Sequence, residues 1–164
     1  MGYPPQGLKT LGFMEFWSDP PLYGLAITTV PQNLSLPDVV VSGIPANATV
    51  IRVVACILAD SKEDSSAAIN YLNADANIRM IPPGGIGKGC VAISCALLQW
   101  ITNASAKEGG ITQWGNADLS DYFTGDGTYQ FRSLEVDVGD GLIALGTSLL
   151  LYDVKMGLRV YFTS

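Results

Sequence analysis

The chain has 164 residues, enough for one domain that buries roughly two thirds of its unfolded surface. Nine Lys and Arg against fifteen Asp and Glu give a net charge of −6. This acidic balance argues against nucleic acid or an anionic membrane as the main partner, because both need a basic surface. Histidine is absent, which excludes Ser-His-Asp and Cys-His catalytic groups and histidine metal sites.

The chain carries unusually few charges for its apolar content. Charged residues make up 15% and apolar residues 48%, whereas a typical soluble domain has about 25% charged residues. The longest uncharged stretches are interrupted by polar residues or prolines, so no segment is apolar enough for a membrane span. We expect no cleaved signal peptide at the N-terminus. The composition favours a subunit that covers part of its surface with neighbouring chains.

The hydropathy pattern has the period of two that is typical of strands. Residues 49–59 are apolar on both faces, which predicts a strand covered on both sides in a sandwich or at an interface. Residues 157–163 alternate cleanly, with Leu158, Val160 and Phe162 on one face. Residues 90–102 fit a buried helix or a strand, and their β-branched residues favour the strand. The apolar phase switches within residues 128–136, which predicts a bulge near Ser133.

Turn signals separate these runs at short, even spacing. Many of the eighteen glycines and nine prolines lie in turn-forming sequences, such as Ser42-Gly43 and Pro82-Pro83-Gly84-Gly85. This pattern predicts an all-β fold, an antiparallel β-sandwich or jelly roll, over residues 41–164. Residues 60–73 fit equally a short helix capped by Ser61 and an extended loop that leads into a strand from Ala68.

Residues 1–40 differ in character from the rest of the chain. Six prolines break any helix and restrict strand pairing to sheet edges, yet aromatic and aliphatic side chains are frequent. We weigh equally an extended arm lying on its own domain or a neighbour, and a first edge strand with a long loop. Five side chains are the candidate interface residues of this segment: Phe13, Phe16, Trp17, Leu22 and Tyr23.

The glycine-rich run at residues 82–90 is only superficially similar to a phosphate-binding loop. Pro82 stands where a Walker A motif has its first glycine, and Gly89 stands where it has Ser or Thr. We therefore predict a hairpin loop. The three cysteines Cys56, Cys90 and Cys95 form no C-x-x-C pair, and we predict that all three are reduced packing residues.

Asp118, Asp121 and Asp126 are the main candidates for a carboxylate site. They lack the spacing of an EF-hand calcium loop, so we predict turn-forming and solubilising roles for them, with Asp121 in an alternating strand. Trp17, Trp100 and Trp114 are candidates for a sugar-stacking platform, although core and interface packing is the commoner use of tryptophan. No cofactor or metal site is predicted, and no enzymatic activity.

The order of elements over residues 45–163 resembles structural proteins of tailed phages and related viruses. The best-matching pieces are Gly127–Phe131 and Leu151–Phe162. The resemblance implies a jelly-roll-like domain in a virion shell or tail with no enzymatic role. It carries over no site residue, because the matching motifs are turns and strands.

These observations lead to two classes of function. The first is a virion structural protein assembled in the host cytoplasm, foremost a capsid decoration or cement subunit, with a major capsid or tail subunit as alternatives. Its partners would be itself, as a homo-oligomer such as a trimer, and a capsid or other virion protein. An acidic balance suits the outside of a shell, away from the genome. The second class is a carbohydrate- or ligand-binding β-sandwich.

Overall fold

The computed structural model describes residues 9–22, 25–27, 34–64, 74–85, 90–98, 108–138 and 148–164. These residues form nine strands and one 3-10 turn at Ser120–Tyr122. The strands are β1 (Leu11–Trp17), β2 (Leu25–Ile27), β3 (Leu34–Val41), β4 (Thr49–Asp64), β5 (Ala74–Ile81), β6 (Cys90–Leu98), β7 (Glu108–Trp114), β8 (Gly127–Val138) and β9 (Ser148–Thr163). The predicted all-β sandwich is confirmed.

The strands form two antiparallel sheets. The first sheet has the order β1-β9-β4-β7, with the short strand β2 also paired to β9. The second sheet has the order β3-β8-β5-β6. Four strand pairs are nested around the turn at Pro82–Gly85: β5–β6, β4–β7, β3–β8 and β1–β9. In each pair, the two strands lie at nearly equal distances along the chain before and after this turn.

This nesting describes one long antiparallel ribbon that folds back at that turn and rolls up. The β4–β9 and β5–β8 pairings then join successive turns of the ribbon edge to edge. Apart from β2, the eight strands therefore have the topology of a jelly roll. The hairpin predicted at residues 82–90 joins β5 to β6, although residues 86–89 lie outside the described part.

The hydrophobic core lies between the two sheets. Both sheets contribute to it along alternating positions, as expected where one face of each strand turns inward. The largest fully buried side chains are Tyr129, Phe131, Ile57, Ile78, Met80, Ile93, Leu119, Met156 and Leu158. Full burial of an aliphatic or aromatic side chain of this size stabilises a fold by about 1.5–3 kcal/mol, so these residues hold the sheets together.

Strand β4 confirms the prediction of a strand covered on both faces. Five consecutive residues are buried in it: Val53, Val54, Ala55, Cys56 and Ile57. The strand also continues to Asp64, through residues for which a helix was one of two expectations. Residues 65–73 lie outside the described part. Cys56 is a buried packing residue, as predicted, whereas the side chains of Cys90 and Cys95 are not described.

The bulge predicted in β8 is present. Glu135 pairs with Asn77 on β5, but Ser133 pairs with the next residue, Ile78, so β8 has one extra residue at Leu134. The strand predicted over residues 90–102 is present as β6 over Cys90–Leu98, and residues 99–102 lie outside the described part. The alternation of residues 157–163 is found in β9, where Leu158 and Val160 are buried in the core. The strand expected around Asp121 is wrong, because Ser120–Tyr122 form a 3-10 turn.

The segment of residues 1–40 contributes strands to both sheets. Within residues 1–40, β1 is the outer strand of the first sheet and β3 begins the second sheet at Leu34. The described part of the chain contains no helix with the length and hydropathy needed to cross a bilayer.

Candidate functional site

Aromatic side chains gather on the outer face of the first sheet. The register places Phe13 beside Tyr161 and Trp17 beside Gly157, and it places Trp114 of β7 opposite Cys56 of β4. Because side chains at alternate positions share a face, one continuous surface results. We name it the aromatic face and define it by these residues: Phe13, Glu15, Trp17, Trp114, Arg159 and Tyr161.

Arg159 lies at the centre of the aromatic face. Its guanidinium carbon Cζ is 4.2 Å from the ring centroid of Trp114 and 5.2 Å from that of Phe13, both within the range of cation–π attraction. Its Nε donates to Glu15 Oε1 at 2.7 Å, and its Nη1 donates to the Tyr161 hydroxyl at 3.2 Å. The hydrogen bonds to Tyr161 and Glu15 raise the pKa of Arg159 above its usual value. The cation is therefore fixed in place and stays charged.

Glycine at position 157 gives Trp17 room to cross the sheet. A Cβ atom at Gly157 would lie 2.6 Å from Cζ3 of Trp17 and within 2.9 Å of two further atoms of the same indole. The Trp17 ring therefore lies directly over β9 and reaches Trp114, with ring centroids 5.8 Å apart and an interplanar angle of 72°. This is the edge-to-face geometry that aromatic pairs prefer.

We expect Gly157→Ala to lower the free energy of unfolding by about 1–3 kcal/mol, the usual cost of forcing an extra group into packed surroundings. Urea unfolding monitored by tryptophan fluorescence measures this change. The double variant Gly157→Ala/Trp17→Leu separates the cause, because the smaller side chain removes the clash. If Gly157→Ala destabilises the Trp17→Leu protein as much as it destabilises the wild type, the close packing of Trp17 on Gly157 is not the cause of the loss.

At one end, the exposed apolar side chains of Leu11 and Ile51 extend the aromatic face beside Phe13, and we call these three residues its exposed end. Leu11 is 64% exposed, Phe13 57% and Ile51 47%. Leu11 and Phe13 are outward residues of β1. Ile51 is the extra, unpaired residue of β4 between Val50, which pairs with Phe162, and Arg52, which pairs with Tyr161. Three large apolar side chains thus meet water at the same end of one sheet. Such an exposed patch marks an interaction site in many proteins.

The five residues that the sequence singled out do not all lie on this surface. Phe13 and Trp17 belong to the aromatic face, whereas Phe16 and Leu22 pack against the core between the sheets. Tyr23 lies outside the described residues. Arg159 and Tyr161 were not predicted to belong to this surface, although the alternation of residues 157–163 already places them together on the face opposite Leu158.

The carboxylates of Asp118 and Asp126 accept hydrogen bonds from backbone N–H groups and do not form a cluster with each other. Asp118 Oδ1 accepts hydrogen bonds from Val53 N at 3.1 Å and from Ser120 N at 3.0 Å. Burial acts to raise the pKa of Asp118, but these hydrogen bonds and the nearby charge of Arg52 together bring it below its usual value. Among the described residues, no three carboxylate or thiol side chains stand where they could share a metal ion.

The carboxylate of Asp126 also accepts hydrogen bonds from the backbone. Its two carboxylate oxygens accept from Gly43 N at 3.0 Å and Ile44 N at 3.2 Å. The carboxylate thereby ties the loop before β8 to the loop after β3. Asp118 thus supports its own turn, as predicted, whereas Asp126 stabilises a loop that is distant from it in the chain.

Trp114 is only partly available for stacking on a sugar. Arg159 covers one face of its ring, and Trp17 packs against it in an edge-to-face contact. Trp100, the second residue considered for sugar binding, lies outside the described part. The aromatic face therefore offers Phe13, rather than an open tryptophan, as its most exposed ring.

No protein-family model matches the chain, and no curated protein matches it in sequence. Among solved structures, the chain is similar to the structure of infectious bursal disease virus Gt strain, with 10% identity and a TM-score of 0.41 over 99% of this chain and 40% of that chain. It is similar to the VP2 subviral particle of the same virus with 11% identity and a TM-score of 0.34, over 99% of this chain and 43% of the other.

A third likeness is to the T=1 particles derived from infectious bursal virus, with 10% identity and a TM-score of 0.36, over 99% of this chain and 43% of that chain. The chain thus spans less than half the length of the chains it matches. All three likenesses are distant, and the jelly-roll topology stands on the strand pairing alone.

Proposed function

We propose that the chain is a non-enzymatic structural subunit of a virion that associates with further copies of itself through the exposed end of the aromatic face. Two observations support this function. The chain has few charges for its size, and its strands roll into a jelly roll, a fold that is common among viral capsid proteins. The sequence resemblance of residues 45–163 to virion structural proteins points to the same class.

The exposed apolar end of the aromatic face is the observation that carries the proposal. Leu11 and Phe13 are more than half exposed on an outer strand, and burying apolar surface contributes about 25 cal/mol per Å² before ordering costs. Arg159 and the tryptophans behind them are already fixed by packing and hydrogen bonds. Preformed aromatic and arginine side chains lose little entropy on association and are frequent at energetically important contacts.

Within this class we favour a decoration or cement subunit over a major capsid or tail subunit. The net charge of −6 suits a position on the outside of a shell, because a surface facing packaged nucleic acid favours basic residues. A homo-oligomer such as a trimer, seated on another virion protein, would bury the apolar end of the face. The tailed-phage origin suggested by the sequence stays a prediction.

Sedimentation of matched variants tests the role of this surface. Leu11→Ser/Phe13→Ser removes the two most exposed apolar side chains of the face. Val40→Ser/Val91→Ser removes two exposed apolar residues, 61% and 43% exposed, from the second sheet. We expect the first pair to weaken self-association at least tenfold while the monomer stays folded by circular dichroism, and the second pair to have little effect. Equal association of all three proteins would refute the proposal.

A further inference from the structure

Two arginines stand side by side on the outer face of the second sheet. Arg79 of β5 is the register partner of Arg132 of β8. The residues next to them in the chain, Ile78, Met80 and Phe131, are buried in the core, so the alternation of strands turns both arginines outward. Directly opposed residues of an antiparallel pair have Cβ atoms about 4.5–5.5 Å apart. Two positive charges are therefore held together by the backbone.

The rest of their row across the sheet carries no charge. Arg132 pairs with Ser35 on β3, and Arg79 pairs with Val91 on β6. Within the described part of the chain, neither arginine has an ion-pair partner. The Nε atom of Arg79 is buried and has no hydrogen-bond partner there. One donor of the pair thus points away from water with nothing to accept its proton.

This arrangement is unfavourable unless an acceptor completes it. Like charges opposite each other on adjacent strands repel, and a buried donor without an acceptor loses its hydration without compensation. The chain has only nine basic residues in total, and two of these nine are register partners. Guanidinium groups bind carboxylate and phosphate oxygens in forked pairs of hydrogen bonds. One oxyanion between the arginines would offset both costs.

We propose that Arg79 and Arg132 form an oxyanion-binding site on the outer face of the second sheet. The ligand is a carboxylate of an acidic side chain on a neighbouring protein chain or a free phosphate, which share the same recognition chemistry. The site is on the sheet opposite to the aromatic face and does not depend on it. Glu135 is the register partner of Asn77 and so lies in the neighbouring row of the same strand pair. A variant at Glu135 therefore tests whether this chain itself supplies the carboxylate.

Thermal unfolding in different anions tests the site. The melting temperature is measured in sodium chloride, sodium acetate and sodium phosphate at equal ionic strength. We expect acetate or phosphate to raise the melting temperature of the wild type more than that of Arg132→Gln or Arg79→Gln, by about 2–4 °C when the anion is well above its Kd. Arg52→Gln, which removes an exposed arginine of the first sheet, is the matched control and should respond like the wild type.

The anion that raises the melting temperature identifies the source of the ligand. A response to acetate points to a carboxylate on a neighbouring chain, whereas a response to phosphate alone points to the free ion. In chloride, Arg132→Gln should melt about 1–3 °C higher than the wild type, because the repulsion is gone. Equal anion responses of the wild type and both variants would overturn the proposal. The proposal would also be overturned if, in chloride, Arg132→Gln and Glu135→Gln both melted below the wild type. Glu135 would then be the partner of the arginines.

Discussion

Gly115→Ala should lower the free energy of unfolding by about 3 kcal/mol, at the upper end of the usual cost of overpacking. A Cβ atom at this position would lie 2.2 Å from the backbone oxygen of Ala92 and 3.2 Å from Cγ1 of Ile93. Ala92 and Ile93 belong to β6 of the second sheet, so the new atom would meet the backbone of the facing sheet. A strand backbone cannot rotate away as a flexible side chain can.

The surroundings of Gly115 increase the expected loss. Gly115 N donates to Ala55 O at 2.7 Å, and four residues later Leu119 N donates to Val53 O at 2.8 Å. The segment after β7 is thereby held to β4 while it touches β6. Any shift that relieves the clash breaks one of these hydrogen bonds. Urea unfolding measures the effect, and a variant with a midpoint equal to that of the wild type would show that the two sheets do not approach each other here.

Tyr129→Ala should cost about 3–5 kcal/mol, as expected for truncating a fully buried aromatic side chain. The ring is buried in the core and stacks on Phe123, with centroids 5.3 Å apart and an interplanar angle of 7°. The hydroxyl donates to Gly125 O at 2.8 Å and accepts from Thr124 N at 2.9 Å. Tyr129 therefore fills the core and fixes the loop before β8.

The conservative variant Tyr129→Phe isolates the contribution of the hydroxyl. It keeps the ring but leaves two partly buried backbone groups without a partner, so we expect a loss of about 1–3 kcal/mol. Tyr122→Phe is the matched control: Tyr122 is 41% exposed, and a change at such a position stays within about 0.5 kcal/mol. Equal stabilities of the two phenylalanine variants would contradict the role assigned to the Tyr129 hydroxyl.

The strands were the most predictable part of the fold. Each of β4, β6, β8 and β9 carries enough β-branched and apolar residues in sequence to show a period of two or a fully covered run, and even the bulge in β8 follows from the change of phase near Ser133. Periodicity gives the face on which a side chain lies. It does not give the strand that lies beside it.

The pairing of β1 with β9 shows why the site could not be assembled from sequence. Phe13 and Tyr161 are register partners, yet they are separated by almost the whole chain, and no local pattern links them. The same holds for Arg79 and Arg132. The position of Trp17 over Gly157 depends on the absence of one Cβ atom, and in the sequence this glycine indicates only the start of an alternating strand.

The aromatic face and the arginine pair lie on opposite outer faces of the sandwich. The first is apolar at its exposed end and has its one central cation neutralised by Glu15. The second is cationic, with no counter-ion in the described part of the chain. A subunit with one apolar contact and one charged contact on opposite sides has two chemically distinct surfaces for its neighbours, which suits a repeating assembly.

The mass of the purified protein in solution, measured by light scattering over a range of concentrations, tests the central claim most directly. A structural subunit that self-associates through its aromatic face should have a mass that is a multiple of the 17.4 kDa of one chain, and Leu11→Ser/Phe13→Ser should return it toward a single chain. A mass of one chain at every concentration, unchanged by that variant, would contradict the account.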